Sequence, residues 1–104
     1  MVAAAAVQSP DAFGVLLCAS PVTDLIRSSL LGTGIQSVVG DAEKPEDFPH
    51  ILRLSPYHNV SPAKKVRAAL ITTSRRDDRA GAAHAFKFAA ALQHAWADST
   101  VLLR

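Results

Sequence analysis

Short apolar runs at residues 14–20, 66–73 and 100–104 alternate with segments of a different pattern. The first run is unbroken and closed by Pro21, which is typical of a strand buried on both faces of a parallel sheet. The second is interrupted by Arg67, and the third is β-branched and apolar. The runs therefore predict three strands, with the chain between them free to form helices.

Helical patterns precede the first run and separate the second from the third. Residues 1–7 are rich in alanine and favour a helix, which Pro10 should end because proline cannot continue the ladder of amide hydrogen bonds. Residues 80–97 predict a longer helix with an apolar stripe that is interpreted as core. The stripe repeats every four residues at Phe88, Leu92 and Trp96.

Residues 24–31 also have helical spacing, and a side-chain oxygen of Thr23 or Asp24 could cap the helix before residues 32–34 break it. This segment is therefore predicted to be helical.

Residues 40–49 are acidic, interrupted by prolines and without periodicity, and they indicate an exposed excursion. A short helix is predicted around residues 50–54, ending at Ser55-Pro56. The order of helix, strand, excursion, strand, helix and strand is that of an open α/β sheet with helices packed on its faces.

The composition fits one small globular domain, since 49 % of the 104 residues are hydrophobic and 19 % are charged. The eleven basic and nine acidic residues are spread along the chain and give a net charge of +2. The basic pairs at residues 64–65 and 75–76 lack interleaved aromatic residues, and no long basic stripe is available to follow a phosphate backbone. Nucleic acid is therefore not an expected partner.

A single cysteine, Cys18, argues against a disulfide framework and favours a reducing, cytoplasmic location. The apolar residues 1–7 lack a basic flank and are too short for a membrane span, so no membrane association is expected. The histidines are interpreted as packing or surface side chains. His84 and His94 are ten residues apart and face different directions on the predicted helix, so we expect no metal site and no cofactor.

A charge cluster, ITTSRRDDRAG at residues 71–81, places two adjacent carboxylates among three arginines. Charge clusters between structured segments are usually solvated turns. Asp77, however, would lie just beyond the carboxyl end of a buried strand, and ligands of open α/β sheets bind at that edge. The residues alone leave both interpretations open, a solvated turn and a functional site.

The chain resembles, from end to end, the catalytic domain of the prolyl oligopeptidases, which are serine peptidases with the α/β-hydrolase fold. The resemblance implies a partial α/β-hydrolase fold, the C-terminal part of a mostly parallel sheet with packed helices, in which residues 1–104 form one segment of the catalytic domain. It rests on segments in the family's order and spacing, PDAFG at residues 10–14, SPYHNV at 55–60, DDR at 77–79 and HAFKF at 84–88.

The resemblance also implies roles for individual residues. In this family the triad follows the chain order Ser, Asp, His, and Asp77 occupies the place of the acid, whose carboxylate accepts a hydrogen bond from the catalytic imidazole. Arg79 matches an arginine that binds a substrate carbonyl, with a salt bridge to Asp78 as the alternative. Val22 and Ala80 match positions that wall the pocket for the substrate's proline. Asp78 is assigned no chemistry.

The chain departs from the family's pattern at its ends and in one loop. The family's serine turn would fall before Met1 and its Gly-His-Gly loop after Arg104, so we expect the segment to lack the nucleophile elbow and the histidine loop. Between residues 32 and 40 the family usually places a Trp and a Tyr around the proline ring. Ile35 and Val39, or a short deletion, occupy that region here, which should weaken stacking on proline.

The implied function is that of a segment of a serine endopeptidase or oligopeptidase that, as a complete enzyme, hydrolyses short peptides after proline without a cofactor. Its expected partners are short proline-containing peptides, the rest of the catalytic domain and a β-propeller domain. The chain alone is expected to be inactive. The alternative is a non-catalytic α/β remnant or interaction module, whose exposed sheet edge would favour association.

Overall fold

A parallel sheet forms the centre of the fold. The computed structural model describes residues 1–32 and 34–104. The strands are β1 (Val15–Ala19), β2 (Ala68–Thr72) and β3 (Thr100–Leu103). They pair in the order β1-β2-β3, with Leu17 opposite Leu70 and Leu70 opposite Leu102, so their carboxyl ends meet at one edge. The parallel sheet predicted from the apolar runs is confirmed.

Helices connect and cover these strands. The α-helices within the described residues are α1 (Val2–Gln8), α2 (Gln36–Val39), α3 (Phe48–Leu54) and α4 (Ala83–Ala95), with 3-10 turns at Pro10–Ala12 and Tyr57–Asn59. The helices predicted at residues 1–7, around 50–54 and over 80–97 are confirmed, although α4 is shorter than its predicted span. The sequence patterns do not predict α2. In the part of the chain that the structure describes, none of the helices has the length and apolar character needed to cross a membrane.

The hydrophobic core lies between one face of the sheet and the helices α1 and α4. Phe88, Leu92 and Trp96, the stripe predicted on α4, are fully buried and belong to the same cluster as Leu16 and Ile71 of the sheet. Burying a large apolar side chain contributes about 1.5–3 kcal/mol. The interpretation of the stripe as core is confirmed, and the stripe is a main source of stability.

The opposite face of the sheet is exposed. Along β1, Leu16 and Cys18 are buried, whereas Val15 and Leu17 are 55 % and 67 % exposed. Successive side chains of a strand point to opposite faces, and α1 and α4 pack on the face that bears Leu16. The prediction of a strand buried on both faces is wrong for this chain, because an apolar run reports the character of the side chains and not what covers each face.

Residues 24–31 form a series of turns and not the predicted helix. A capping bond does form, since the Arg27 amide donates to Asp24 Oδ1 at 3.1 Å. The Ser28 hydroxyl then donates to the Leu25 carbonyl at 3.0 Å, and that carbonyl would accept a backbone amide in a helix. The helix prediction is wrong, since the backbone forms separate turns in which the Asp24 and Ser28 side chains bond to backbone groups.

The connection that follows leads to α3. Thr33, within the predicted break at residues 32–34, lies outside the described residues. Residues 40–49 are mostly turns whose side chains are exposed or half-buried, so the predicted excursion is confirmed. Ser55 follows α3 in an extended conformation and ends it, as predicted.

Candidate active site

The loop between β2 and α4, residues 73–82, carries Asp77 beyond the carboxyl end of β2. The Asp77 amide donates to the Ser74 carbonyl at 3.2 Å. Asp77 Oδ1 accepts two backbone amides, from Arg79 at 3.1 Å and from Ala80 at 2.8 Å. A carboxylate that accepts the amide two residues on closes a turn with its own side chain. The position of the Asp77 carboxylate is therefore fixed by its own loop.

Asp77 also lies beside the exit of β1. The main cause that lowers its pKa is a hydrogen bond from the hydroxyl of Ser20, the residue after β1, followed by the Ala80 amide. Slight desolvation opposes this shift, while the amide and the charge of Arg79 add to it. Donors that face a carboxylate favour its charged form. Asp77 is therefore an anion at neutral pH, and it joins the β2–α4 loop to the end of β1.

Ser20 has a backbone conformation that is rare for residues other than glycine, with φ at 43°. Its amide still donates to the Thr72 carbonyl at 2.7 Å, so the chain is paired with β2 as it turns away from the sheet. Pro21 follows, and a residue before proline normally prefers an extended conformation. Strained residues of this kind cluster at functional sites, and the sequence patterns do not single out Ser20.

The other predicted site residues lie on the same two segments. Arg79 is exposed, and within residues 1–32 and 34–104 no ion pair joins it to Asp78. Ala80 is 1 % exposed and contacts Asp77 through its amide. Val22 is half-buried on the segment that leaves β1. The structure therefore brings Asp77, Arg79 and Ala80 together in one loop and places Val22 on the adjoining segment.

A buried polar cluster, which the sequence patterns do not predict, joins the segment after β1 to α4 and to the turn at Tyr57–Asn59. Its centre is Asp24, which is fully buried. The Asp24 carboxylate accepts a hydrogen bond from Lys87 of α4 and lies 3.5 Å from Arg27 Nη1. We call this cluster the Asp24 junction and define it as Thr23, Asp24, Arg27, Ser55, His58, His84 and Lys87.

The charges of the junction compensate one another. Burial by itself raises the pKa of Asp24, but the hydrogen bonds from the Lys87 ammonium and the Arg27 amide, with the charge of Lys87, outweigh burial and leave that pKa lowered. A buried carboxylate is tolerated where cations and donors surround it. Asp24 is therefore a charged group in the interior, and its partners on α4 and on its own turn hold it there.

His84 is a neutral acceptor in this junction. Its Nδ1 atom faces two backbone amides, that of Asp24 at 3.1 Å and that of Thr23 at 3.4 Å. The hydrogen-bond pattern thus assigns the ring proton to Nε2, which has no partner among the described residues. Burial is the main cause that lowers the pKa of His84; the Asp24 charge opposes this, and the Lys87 charge adds to it. The Thr23 hydroxyl also donates to the His84 carbonyl at 2.7 Å.

His58 has the opposite tautomer. The Ser55 hydroxyl donates to the Thr23 carbonyl at 3.1 Å, so it accepts from the Leu25 amide at 3.0 Å and from His58 Nδ1 at 2.8 Å. His58 Nε2 then accepts from Arg27 at 3.4 Å. Burial is the main cause that lowers the pKa of His58. Both histidines of the junction are therefore neutral and oriented by their neighbours.

Sequence reasoning missed the junction because it assigned Asp24 only a capping role and the histidines only packing or surface roles. His84 is buried and His94 exposed on α4, so their predicted difference in direction is confirmed. The available signal was the spacing of polar residues inside two segments. Ser55 and His58, like His84 and Lys87, are three residues apart, and that spacing places two polar groups on one side of a helical turn.

The junction is not a metal centre, since the Asp24 carboxylate is engaged by Lys87. Across the described ranges, no three His, Cys, Asp or Glu side chains form a group that could hold a metal ion.

Comparison with known proteins links this chain to a peptidase family. A family model described as the prolyl oligopeptidase family matches residues 1–104. Prolyl oligopeptidase dbiP of Dendrothele bispora is 37 % identical over 98 residues, which cover 90 % of this chain and 13 % of that protein.

Solved structures agree with this match. A chain from a study of two prolyl endopeptidases has a TM-score of 0.92 and 42 % identity, over 99 % of this chain and 16 % of that one. Prolyl oligopeptidase B of Galerina marginata, with an aspartate-to-alanine substitution and a bound 25mer macrocyclization substrate, has a TM-score of 0.88 and 34 % identity, over 99 % and 15 %. The chain thus spans between 13 % and 16 % of the length of these relatives. The predicted fold class, part of an α/β-hydrolase catalytic domain, is confirmed.

Proposed function

Because the chain belongs to the prolyl oligopeptidase family, we propose that it is a segment of the catalytic domain of a serine peptidase that hydrolyses short peptides after proline. Asp77 is the acid of the triad in this proposal, and the nucleophile elbow and the histidine loop come from other parts of the enzyme. The observation that supports it most is the Asp77 carboxylate, held by two amides of its own loop just beyond β2, at the edge where α/β sheets bind ligands.

The proposed task of Asp77 is to orient the catalytic imidazole. Its carboxylate would accept the Nδ1–H of that histidine, fix the ring tautomer and stabilise the imidazolium that forms when the serine attacks a carbonyl. The task requires a charged acceptor in a fixed position. An aspartate is charged at neutral pH, the Ser20 hydroxyl favours that charged form by lowering the Asp77 pKa, and the Arg79 and Ala80 amides hold the carboxylate in place.

Arg79 is proposed to bind the substrate. Its backbone amide holds Asp77 at 3.1 Å, while its side chain lies at the exposed surface of the same loop. A guanidinium there could donate to a carbonyl of the peptide and position it next to the triad, without taking part in proton transfer.

Val22 and Ala80 are proposed as walls of the proline pocket. Val22 is half-buried and offers apolar surface, whereas Ala80 is almost completely buried and would contribute from below the surface. Ile35 precedes the first residue of α2, and Val39 is its last residue. Both are half-buried aliphatic residues at positions where the family usually has aromatic ones. Selectivity for proline is therefore expected to be looser than in relatives with the aromatic pair.

The 104-residue chain alone is proposed to be inactive. The contact between Ser55 and His58 does not replace a catalytic pair, because Ser55 is fully buried and its hydroxyl already bonds the Thr23 carbonyl. Catalysis would require the rest of the domain, and the exposed apolar face with Val15 and Leu17 supports the proposal that further structure packs there. A β-propeller domain and a cytoplasmic location remain predictions.

The proposal can be tested by restoring the missing parts. A chimaera is prepared in which this chain replaces the matching segment of the Dendrothele bispora enzyme, and cleavage of a Gly-Pro reporter peptide is measured. Asp77→Ala is expected to reduce kcat by about 10⁴-fold, as expected for loss of a triad acid. Asp78→Ala, which changes the neighbouring carboxylate, is the matched control and should retain activity. Arg79→Ala should mainly raise KM.

Two results would contradict the proposal. One is a chimaera in which Asp77→Ala and Asp78→Ala have equal kcat. The other is cleavage of the reporter by the purified 104-residue chain, with turnover abolished by Asp77→Ala.

The second candidate is a non-catalytic α/β module that associates through its sheet. The exposed side chains of Val15, Leu17 and Leu102 on the uncovered face favour it. Sedimentation of the chain, compared with a Leu17→Lys variant, distinguishes the two candidates. Association that is lost in the variant, together with an inactive chimaera, would favour the module.

A further inference from the structure

The two segments that carry the proposed site residues are joined through the Asp24 junction. The chain that leaves β1 passes through Val22 and then Thr23, whose hydroxyl donates to the His84 carbonyl at 2.7 Å. The next residue, Asp24, accepts from Lys87. His84 and Lys87 lie in the first half of α4, which begins directly after the loop of Asp77. The start of α4 is therefore fixed to the β1 exit by one buried bond, from Thr23 to His84, and one part-buried bond, from Lys87 to Asp24.

Gly81 gives a second, independent indication of how closely the loop is held. A Cβ atom at this position would lie 2.3 Å from the Leu31 carbonyl oxygen, which is a backbone atom and cannot rotate away. The end of the Asp77 loop thus packs directly on the turns at residues 24–31. Asp24 also organises those turns, since its Oδ1 accepts the Arg27 amide at 3.1 Å.

We propose that Asp24 is a positioning residue, which acts through Lys87 and the Thr23–His84 bonds to hold the Asp77 loop against the exit of β1. The inference rests on the proposed function only in naming Asp77 as the acid. The contact that must be maintained is the one between Ser20, at the end of β1, and the Asp77 carboxylate. Those residues are 57 positions apart in sequence, 77 minus 20, so their relative position depends on tertiary bonds.

A purely stabilising role for Asp24 would have a different signature. If the junction only added stability, its loss would raise amide exchange throughout the fold by a similar factor, because exchange would proceed through global opening. A positioning role predicts a local effect. The Arg79 and Ala80 amides, which donate to Asp77, should exchange faster, while the exchange rates of the β2 amides should stay the same.

The experiment measures hydrogen exchange by NMR in the complete 104-residue chain at neutral pH. In Asp24→Asn, the exchange rates of the Arg79 and Ala80 amides, divided by those of the β2 amides, are expected to rise about five- to tenfold, the factor for loosening one hydrogen bond. The titration midpoint of the Asp77 carboxyl carbon should rise towards 3.8, the ordinary value. Asp98→Asn, at a surface aspartate that also pairs with a lysine, is the matched control and should change neither quantity.

A second variant keeps the test decisive if Asp24→Asn does not fold. Thr23→Val retains the shape of the side chain but removes the hydroxyl that donates to His84, and Thr100→Val on β3 is its control. Thr23→Val is expected to give the same local rise in exchange. Unchanged ratios in a folded Thr23→Val or Asp24→Asn would overturn the inference. The exchange measurement does not involve catalysis. If the variants show the local rise in exchange but the chimaera is inactive, the result counts against the proposed function and not against the positioning role of Asp24.

Discussion

Two aspartate–lysine pairs in this chain share the same chemistry but differ in their surroundings. Lys65 Nζ lies 2.9 Å from Asp98 Oδ2 at the surface, where the two side chains are 41 % and 86 % exposed. Asp24 is fully buried, and its partner Lys87 is 31 % exposed, with its ammonium 4.5 Å from the centre of the Tyr57 ring. The carboxylate is therefore in water in one pair and in the protein interior in the other, where its lysine is only partly exposed.

The difference shows that burial, and not the presence of an ion pair, decides how much the pair contributes to stability and whether it fixes the segments that carry it. At the surface, water and salt screen the attraction, and ordering two flexible side chains offsets most of the gain. In the interior the carboxylate cannot return to water, so it must keep its donors, and each donor fixes the segment that supplies it. The surface pair therefore contributes little to the fold, whereas the buried pair connects the β1 exit, the turns at residues 24–31 and α4.

The largest expected effect comes from breaking the buried pair. Asp24→Ala removes the acceptor of Lys87 and of the Arg27 amide, and we expect a loss of about 3–5 kcal/mol in the free energy of unfolding, measured by urea denaturation. The double variant Asp24→Leu with Lys87→Met should recover part of that loss, since it removes both charges of the Asp24–Lys87 pair together. An Asp24→Ala protein as stable as the wild type would show that the buried pair contributes nothing.

An intermediate effect is expected from acidification, and it should arise in the buried region. The folded-state pKa of His84 is lowered from 6.5, mainly by burial. The unfolded chain therefore binds a proton first as the pH falls, so the stability that neutral His84 contributes is complete above pH 6.5 and is lost below it.

The check is the change in Tm between about pH 7.5 and about pH 5.5. His84→Asn keeps an acceptor near the Nδ1 position but cannot titrate, so its Tm should fall less steeply than that of the wild type. His94→Asn, at an exposed histidine of the same helix, should retain the wild-type slope. Equal slopes in all three proteins would assign the pH dependence to other groups.

The smallest effect is expected at the surface pair. Asp98→Ala should leave the urea midpoint unchanged within the precision of the measurement, because both side chains of the pair reach solvent. Any small difference from the wild type should disappear at high salt. A loss comparable to that of Asp24→Ala would remove the distinction between the two regions.

Much of the fold could be predicted because it depends on local patterns. The stripe of Phe88, Leu92 and Trp96 specifies one apolar face of a helix, and the three apolar runs specify strands whatever else the chain does. The turns at residues 24–31 could not be predicted in the same way. Their helical spacing is real, but the segment forms turns whose Asp24 carboxylate bonds to Lys87, a residue distant in sequence, and such a contact is invisible in the periodicity.

The candidate site likewise has residues that local sequence predicts and residues whose roles depend on distant partners. Asp77 could be proposed from its motif and its place after a strand, because the carboxyl edge of a parallel sheet is where ligands bind. Ser20 and the Asp24 junction could not, since their roles depend on partners distant in sequence. Asp24 and Lys87 are 63 residues apart, and Ser55 and Thr23 are 32 apart.

By itself, the sequence determined the alternation of strands and helices, the family and the loop on which the candidate acid lies, because short-range periodicity and motifs encode these directly. Only the tertiary structure decided which face of the sheet is covered, that Asp24 is a buried charge, and which nitrogen of each junction histidine carries the proton. These properties depend on distant groups that share one interior, where the loss of water makes every donor and acceptor require a specific partner.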